Sequence, residues 1–265
     1  MNIFFREMKA NYKALLIWSC AQVFVIFAGM VKYSGFTNSN IDINKMMDQY
    51  PQALRAVFGM GKIDMGTIEG FYSIFFLFFV LLAAIHAAML GAVLVAKEER
   101  DHAADFLFAK PVRRRAVITA KLLAGLANIL IFNLVTFVAS ILQIGQYNDG
   151  NMLTGKVFIL MIALFVLQVL FLCIGSALGA LLKTAKTATS AATAIILGTF
   201  FLSAAIDINN QIETLSFLTP FKYFDAADLL TGGSLRAGSI ILCLALAAIA
   251  LTATYLAFNR RDLSV

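Results

Sequence analysis

Six apolar stretches, at residues 14–31, 71–96, 121–144, 156–182, 186–206 and 238–258, divide the chain. The second, FYSIFFLFFVLLAAIHAAMLGAVLVA, contains no Asp, Glu, Lys or Arg. A bilayer core takes about twenty helical residues to cross, so each stretch is predicted to be a transmembrane helix. The runs are continuous, whereas a membrane barrel would show segments of about ten residues with alternating polarity. Backbone satisfaction in lipid leaves helices as the remaining solution. The fourth and fifth spans are separated only by Lys183-Thr184-Ala185-Lys186, which predicts a tight turn.

The polar segments between the spans carry patterns of their own. In residues 1–13, Phe4, Met8 and Tyr12 recur at spacing four, while Arg6, Lys9 and Lys13 form a different stripe. This predicts an amphipathic helix on the membrane surface leading into the first span; the alternative is a short basic flank without fixed structure. No small-residue cleavage site follows, so these residues do not read as a signal peptide. Within residues 32–70, Ile43 to Phe58 is expected to form one amphipathic helix. Residues 207–237 include LSFLTPFKYFDAADLL, with Phe217, Phe221, Tyr223 and Phe224. This segment reads as a re-entrant or interfacial helix broken at Pro220, the alternative being an ordinary loop.

Composition agrees with the pattern. The 265-residue chain is 61% hydrophobic and only 14% charged, whereas a soluble domain is nearer half apolar and about a quarter charged. The predicted fold is therefore an all-α polytopic membrane protein forming one domain over residues 1–265. Its net charge is +6, but the basic residues cluster at span ends, where topology and anionic headgroups account for them better than nucleic acid does. With the termini inside, the inner segments hold Arg6, Lys9, Lys13, Lys97, Arg100, Lys110, Arg113, Arg114, Arg115, Lys121, Lys183, Lys186, Arg260 and Arg261. The longer outer segments hold only Lys32, Lys45, Arg55, Lys62, Lys156, Lys222 and Arg236. The positive-inside bias thus predicts two cytoplasmic termini. Cys20, Cys173 and Cys243 all fall inside spans without CxxC spacing, so they read as small core residues.

No catalytic or metal-binding motif stands out, and no catalytic, cofactor-binding or metal residue is assigned. The sequence GNMLTGKV at 150–157 matches the phosphate-binding GxxxxGK pattern but ends in Val157, where the hydroxyl that holds magnesium is required. His86 lies near the middle of the second span, a functional-site hypothesis by default. No acidic residue within a span stands ready to form a relay with it, so a structural histidine is the competing reading. Asn128, Asn133, Gln143 and Gln168 are the other candidates for a polar pathway; they would equally serve to join helices. Gly175 and Gly179 form a GxxxG spacing that permits close helix packing.

At residues 95–121, VAKEERDHAADFLFAKPVRRRAVITAK resembles the first cytoplasmic loop of ABC-2 type permeases, the membrane subunits of ATP-driven exporters. The shared features are the acid pair Glu98-Glu99, a short helix over Ala103–Ala109, Pro111-Val112, the basic run Arg113 to Arg115, and Lys121 opening the next span. Phe258-Asn-Arg-Arg-Asp-Leu263 resembles the family's ending, whereas His102-Ala103 departs from the Gly-Thr common there. The resemblance implies a cytoplasmic coupling helix seated in a cleft of an ATPase subunit, with Glu98, Glu99, Asp101, Asp105, Phe106, Leu107, Phe108, Arg113 and Arg114 at that interface. An interfacial helix covered by lipid is the alternative. The family also implies a partnership with a second permease copy or a homologous permease. ATP and magnesium would sit on the partner ATPase and none on this chain. The setting implied is the plasma membrane of a prokaryote. The rival function is a secondary transporter or channel, which would call for ion sites near the midplane, often at broken helices. The six spans contain neither an acidic residue nor a proline, and no sequence echo relates the two halves.

Overall fold

The computed structural model describes residues 3–39, 42–58, 63–100, 114–147, 153–182, 184–231 and 234–260. Six helices are long and apolar enough to cross a membrane: α1 (Ile3–Asn38), α4 (Ile68–Arg100), α5 (Arg114–Tyr147), α6 (Thr154–Leu181), α7 (Ala185–Ile208) and α9 (Ala237–Arg260). Between them lie three short helices, α2 (Ile43–Met47), α3 (Gln52–Val57) and α8 (Ala226–Leu230). No strand occurs among the described residues.

Helix α1 runs unbroken for 36 residues. At 1.5 Å per residue it is about 54 Å long, well beyond a hydrocarbon core of about 30 Å. Residues 3–13, read as an amphipathic helix leading into the first span, form the first turns of α1 itself. The expected single helix over Ile43 to Phe58 is instead two, α2 and α3, because Pro51 intervenes. Proline lacks the N–H that a continuing helix would need, and it biases Tyr50 away from helical geometry. Asp42 caps α2 by accepting from Lys45 N. Thr184 caps α7 by accepting from Thr187 N at 3.1 Å, closing the tight turn after α6.

The two central helices are α4 and α6, with 67% and 61% of their most apolar windows buried within the protein, against 17–28% for α1, α7 and α9. They pack most extensively against each other, with α7 also on α4, α9 on α6, and α1 on α5. Lipid is as apolar as leucine, so close van der Waals packing between small residues does the joining that hydrophobic burial does in water. A Cβ built on Gly175 would lie 2.0 Å from Ala88 O, one on Gly179 2.5 Å from Ala92 O, and one on Gly91 2.2 Å from Leu172 O. Glycine at these three positions lets the two backbones touch.

At the end away from the termini, the connecting segments fold onto the bundle. Asn44 Nδ2 donates to Asp64 Oδ1 at 2.5 Å, Asn44 Oδ1 accepts from Met65 N at 3.0 Å, and Asp64 Oδ1 accepts from Gly66 N at 2.8 Å. The Asn44 amide first, then the Gly66 N–H, hold the Asp64 carboxyl below the usual carboxylate range. The segment after α7 forms 3₁₀ turns at Asn210–Leu218 and Pro220–Lys222. Its break falls at Thr219, whose hydroxyl donates to Thr199 O at 2.9 Å. Phe221 is buried against Phe171 and Phe200, at ring distances of 5.6 and 5.5 Å, whereas Phe217 is exposed.

Candidate functional site

The segment singled out by its charge lies between the end of α4 and the start of α5. Asp101, Asp105, Phe106, Leu107, Phe108 and Arg113 lie outside the described residues. Glu98 and Glu99 fall in the last turn of α4, their side chains likewise outside the described part, and Arg114 opens α5.

What the structure does define is the base from which this segment springs. Lys121, one per cent exposed, donates from Nζ to Leu94 O at 2.6 Å, across from α5 to α4. The same Nζ stands 3.6 Å from Glu7 Oε1 on α1, and Glu7 is itself buried. Arg6 donates to that carboxylate oxygen at 3.0 Å, and Asn11 Nδ2 donates to Glu7 O at 2.9 Å. A buried lysine and a buried glutamate each carry a desolvation penalty of several kcal/mol, against which stand their mutual attraction and the hydrogen bonds to Leu94 and from Arg6, while Glu7 Oε2 has no hydrogen-bond partner among the described residues. Close by, Val95, Ile118, Ala180 and Phe258 form a small apolar cluster of their own. Thr119 and Tyr255 share a hydroxyl–hydroxyl bond of 2.8 Å between α5 and α9. Five of the six long helices are therefore tied together near the end of α4 and the start of α5.

Deeper in the bundle, His86 is buried with its ring 4.8 Å from Phe132 in a stacked arrangement and 5.7 Å from Trp18. Asn133 Nδ2 donates to Met161 O at 3.1 Å and to Gln168 Oε1 at 3.3 Å, joining α5 to α6. Asn128 is buried on α5, one helical turn before Phe132. The structure thus brings Asn133 and Gln168 together and sets His86 among aromatic rings. Gln22, which sequence reasoning passed over, is fully buried on α1, and both its side-chain polar atoms lack a hydrogen-bond partner among the described residues. His86 Nδ1, Asn128 Oδ1 and Gln168 Nε2 are in the same condition. Each such group costs about 1–3 kcal/mol when left unsatisfied, so this layer is the polar reserve of the membrane interior. Tyr72 and Ser140 add a hydroxyl pair at 2.7 Å between α4 and α5.

Lys156, from the partial phosphate-loop pattern, sits in the first turn of α6 and donates to both Glu69 carboxylate oxygens at 2.8 and 2.9 Å. No group of three His, Cys, Asp or Glu side chains gathers as a metal site among the described residues. Gly175 and Gly179 stand at the α4–α6 seam.

Glu7 and the burial of Lys121 were also missed by sequence reasoning, although a signal was present. Glu7 is the sole acid before Asp42, and Glu7, Asn11, Ser19 and Gln22 fall at helical spacing on the buried face of α1.

No curated protein matches the chain. The model of the family described as ABC-2 family transporter protein matches residues 1–263. In that family the membrane component carries no ATPase site of its own and is served by an ABC ATPase. Six membrane-length helices and a family match along nearly the whole chain place this multi-pass protein in the ABC-2 transporter family, as the membrane subunit of an ABC transporter.

Proposed function

We propose that the chain is the permease of an ABC exporter, working as a pair of permeases with two separately encoded ATPase subunits. The substrate path runs at the permease–permease interface. The partner ATPases hold ATP and magnesium. Their closure pushes residues 97–113, which shifts the permeases between inward- and outward-open states. Both termini and this segment face the cytoplasm of a prokaryotic cell.

The observation that carries the reading is the buried Glu7–Lys121–Leu94 junction. A push on a segment anchored in a compliant loop would dissipate there. Here the segment is rooted where α1, α4 and α5 are bound to one another, so displacement passes directly to three spans.

The test uses the full chain reconstituted with its ATPase. Phe106→Asp and Phe108→Asp are expected to insert normally and retain ATP hydrolysis while ATP-dependent transport falls. Losing one buried aromatic removes about 1.5–3 kcal/mol, equivalent to about 10–150-fold, and the introduced carboxylate adds a desolvation cost. Unchanged transport in both variants with the ATPase still bound would remove residues 103–109 from the coupling role.

A further inference from the structure

At the end of the bundle opposite the termini, a groove of about 490 Å³ opens between α1, α4 and α2. That volume lies within the range of about 300–1,000 Å³ typical of small-molecule sites. Its floor is aromatic, built from Phe36, Phe71 and Phe75. Phe75 lies against the face of Gly29, where an added Cβ would be 2.7 Å from its ring. The roof comes from Met46 and Met47 of α2, flexible thioether side chains that adapt to irregular apolar shapes. The Asn44–Asp64 hydrogen bond at 2.5 Å fixes that roof over the spans.

Charge enters at the rim. Lys32 lines the groove one turn before Phe36 and is exposed, with no carboxylate paired to it among the described residues. No acidic side chain lines the groove among the described residues. Lys32 directly follows the apolar stretch 14–31, which sets its ammonium at headgroup level, with Phe71 beside it, against Tyr33 and Phe36, and Phe75 deeper, against Gly29. Beside it, a Cβ on Gly35 would meet nothing within 4 Å, so the mouth is open. A single cation above an apolar slot suits an amphiphile: among the described residues a small soluble anion would find one lysine and no second donor of charge.

We propose that this groove binds one anionic phospholipid, an acyl chain lying on Phe71 and Phe75 and the headgroup phosphate at Lys32. The site is independent of the direction of transport and of the ATPase partner.

Native mass spectrometry of the full chain in neutral detergent tests it, with phosphatidylglycerol and phosphatidylcholine of matched chains as probes. Phosphatidylglycerol should bind about fivefold more tightly, the contribution of one lysine near an anionic headgroup. Lys32→Gln should erase that preference while keeping one bound lipid. Gly35→Trp, which fills the open mouth, should remove that lipid for both headgroups. Gly198→Trp on α7, where an added Cβ also meets nothing within 4 Å, should bind as the unaltered chain does. Gly35→Leu keeps the test available if the Trp variant elutes as aggregate.

Undiminished lipid binding in the correctly folded Gly35 variants would overturn the proposal. So would a preference for phosphatidylglycerol that survives Lys32→Gln, or displacement of the lipid by excess inorganic phosphate, which would mark a simple anion site. If Gly35→Trp instead halves the oligomeric mass and leaves the lipid count unchanged, the groove seats a second copy of the chain and the lipid assignment fails.

Discussion

A methyl group added to Gly175 would sit 2.0 Å from Ala88 O, inside any tolerable contact, with backbone rather than a yielding side chain on the other side. Gly175→Ala is therefore expected to force α4 and α6 apart, at a cost of about 1–3 kcal/mol for overpacking. Gly198→Ala, where an added Cβ meets open space, should be neutral or gain up to about 1 kcal/mol from helix propensity. Thermal unfolding in detergent distinguishes them: equal midpoints would mean that the α4–α6 seam yields. The GxxxG spacing was legible in the sequence. Its partner was not, because Gly91 and Ala88 lie in a run where alanine and glycine look like ordinary span residues. His86 poses the converse case, conspicuous in sequence and set in the structure among Phe132 and Trp18. With stacking as its main interaction, His86→Gln should lower stability by about 0.5–1.5 kcal/mol and leave the pH dependence of transport unchanged. His86→Asp, placing an acid in the membrane interior, should accumulate poorly. A well-folded His86→Gln protein with a shifted pH profile would make this residue a proton carrier instead.

Among the elements, α1 shows how a membrane helix reads inside out. Its buried face carries Glu7, Asn11, Ser19 and Gln22 along with Ile26 and Met30, while Phe5, Leu16, Ile17 and Phe24 point outward. A reading that follows the apolar stripe finds the lipid face, and the polar residues at helical spacing mark the interior. The same inversion concealed Lys121, which looks like a flanking anchor but is buried against Glu7 and Leu94 O. Breaking one member of a buried pair strands the other, typically at about 3–5 kcal/mol, whereas replacing both with apolar groups of similar volume is often neutral or stabilising. Lys121→Met alone is therefore expected to lower the unfolding midpoint strongly. Glu7→Leu combined with Lys121→Met should recover much of the loss, a coupling that a double-mutant cycle reads directly. Additive losses would mean that the two side chains are held by their other neighbours and not by each other. The division of α2 from α3 has a simpler cause: Pro51 was visible in the sequence, and the amphipathic pattern across it outweighed the break it dictates.

For the whole molecule, the number of spans follows from length and apolarity alone, since about twenty residues cross a bilayer whatever they pack against. Which spans are central does not follow, because lipid and protein interior select similar side chains. The central pair, α4 and α6, differs from the periphery in small residues placed to meet one another, a pairwise property that no single span reveals. Orientation is a separate matter, set by charge at the membrane surface and not by packing. The basic cluster between α4 and α5 and the sparse basic residues around α2 and α3 predict that the termini face the cytoplasm. Replacing Cys20, Cys173 and Cys243 and introducing single cysteines tests this in intact cells with a membrane-impermeant maleimide. Asp48→Cys, on the exposed segment after α2, and Asp149→Cys should label from outside, while His102→Cys and Asp262→Cys should label only after the cells are opened. Labelling at position 102 in intact cells would put the segment between α4 and α5 on the far side from any cytoplasmic ATPase. That one result would dismantle the proposed coupling route while leaving the helix packing and the family membership untouched, because neither depends on which way the bundle was inserted.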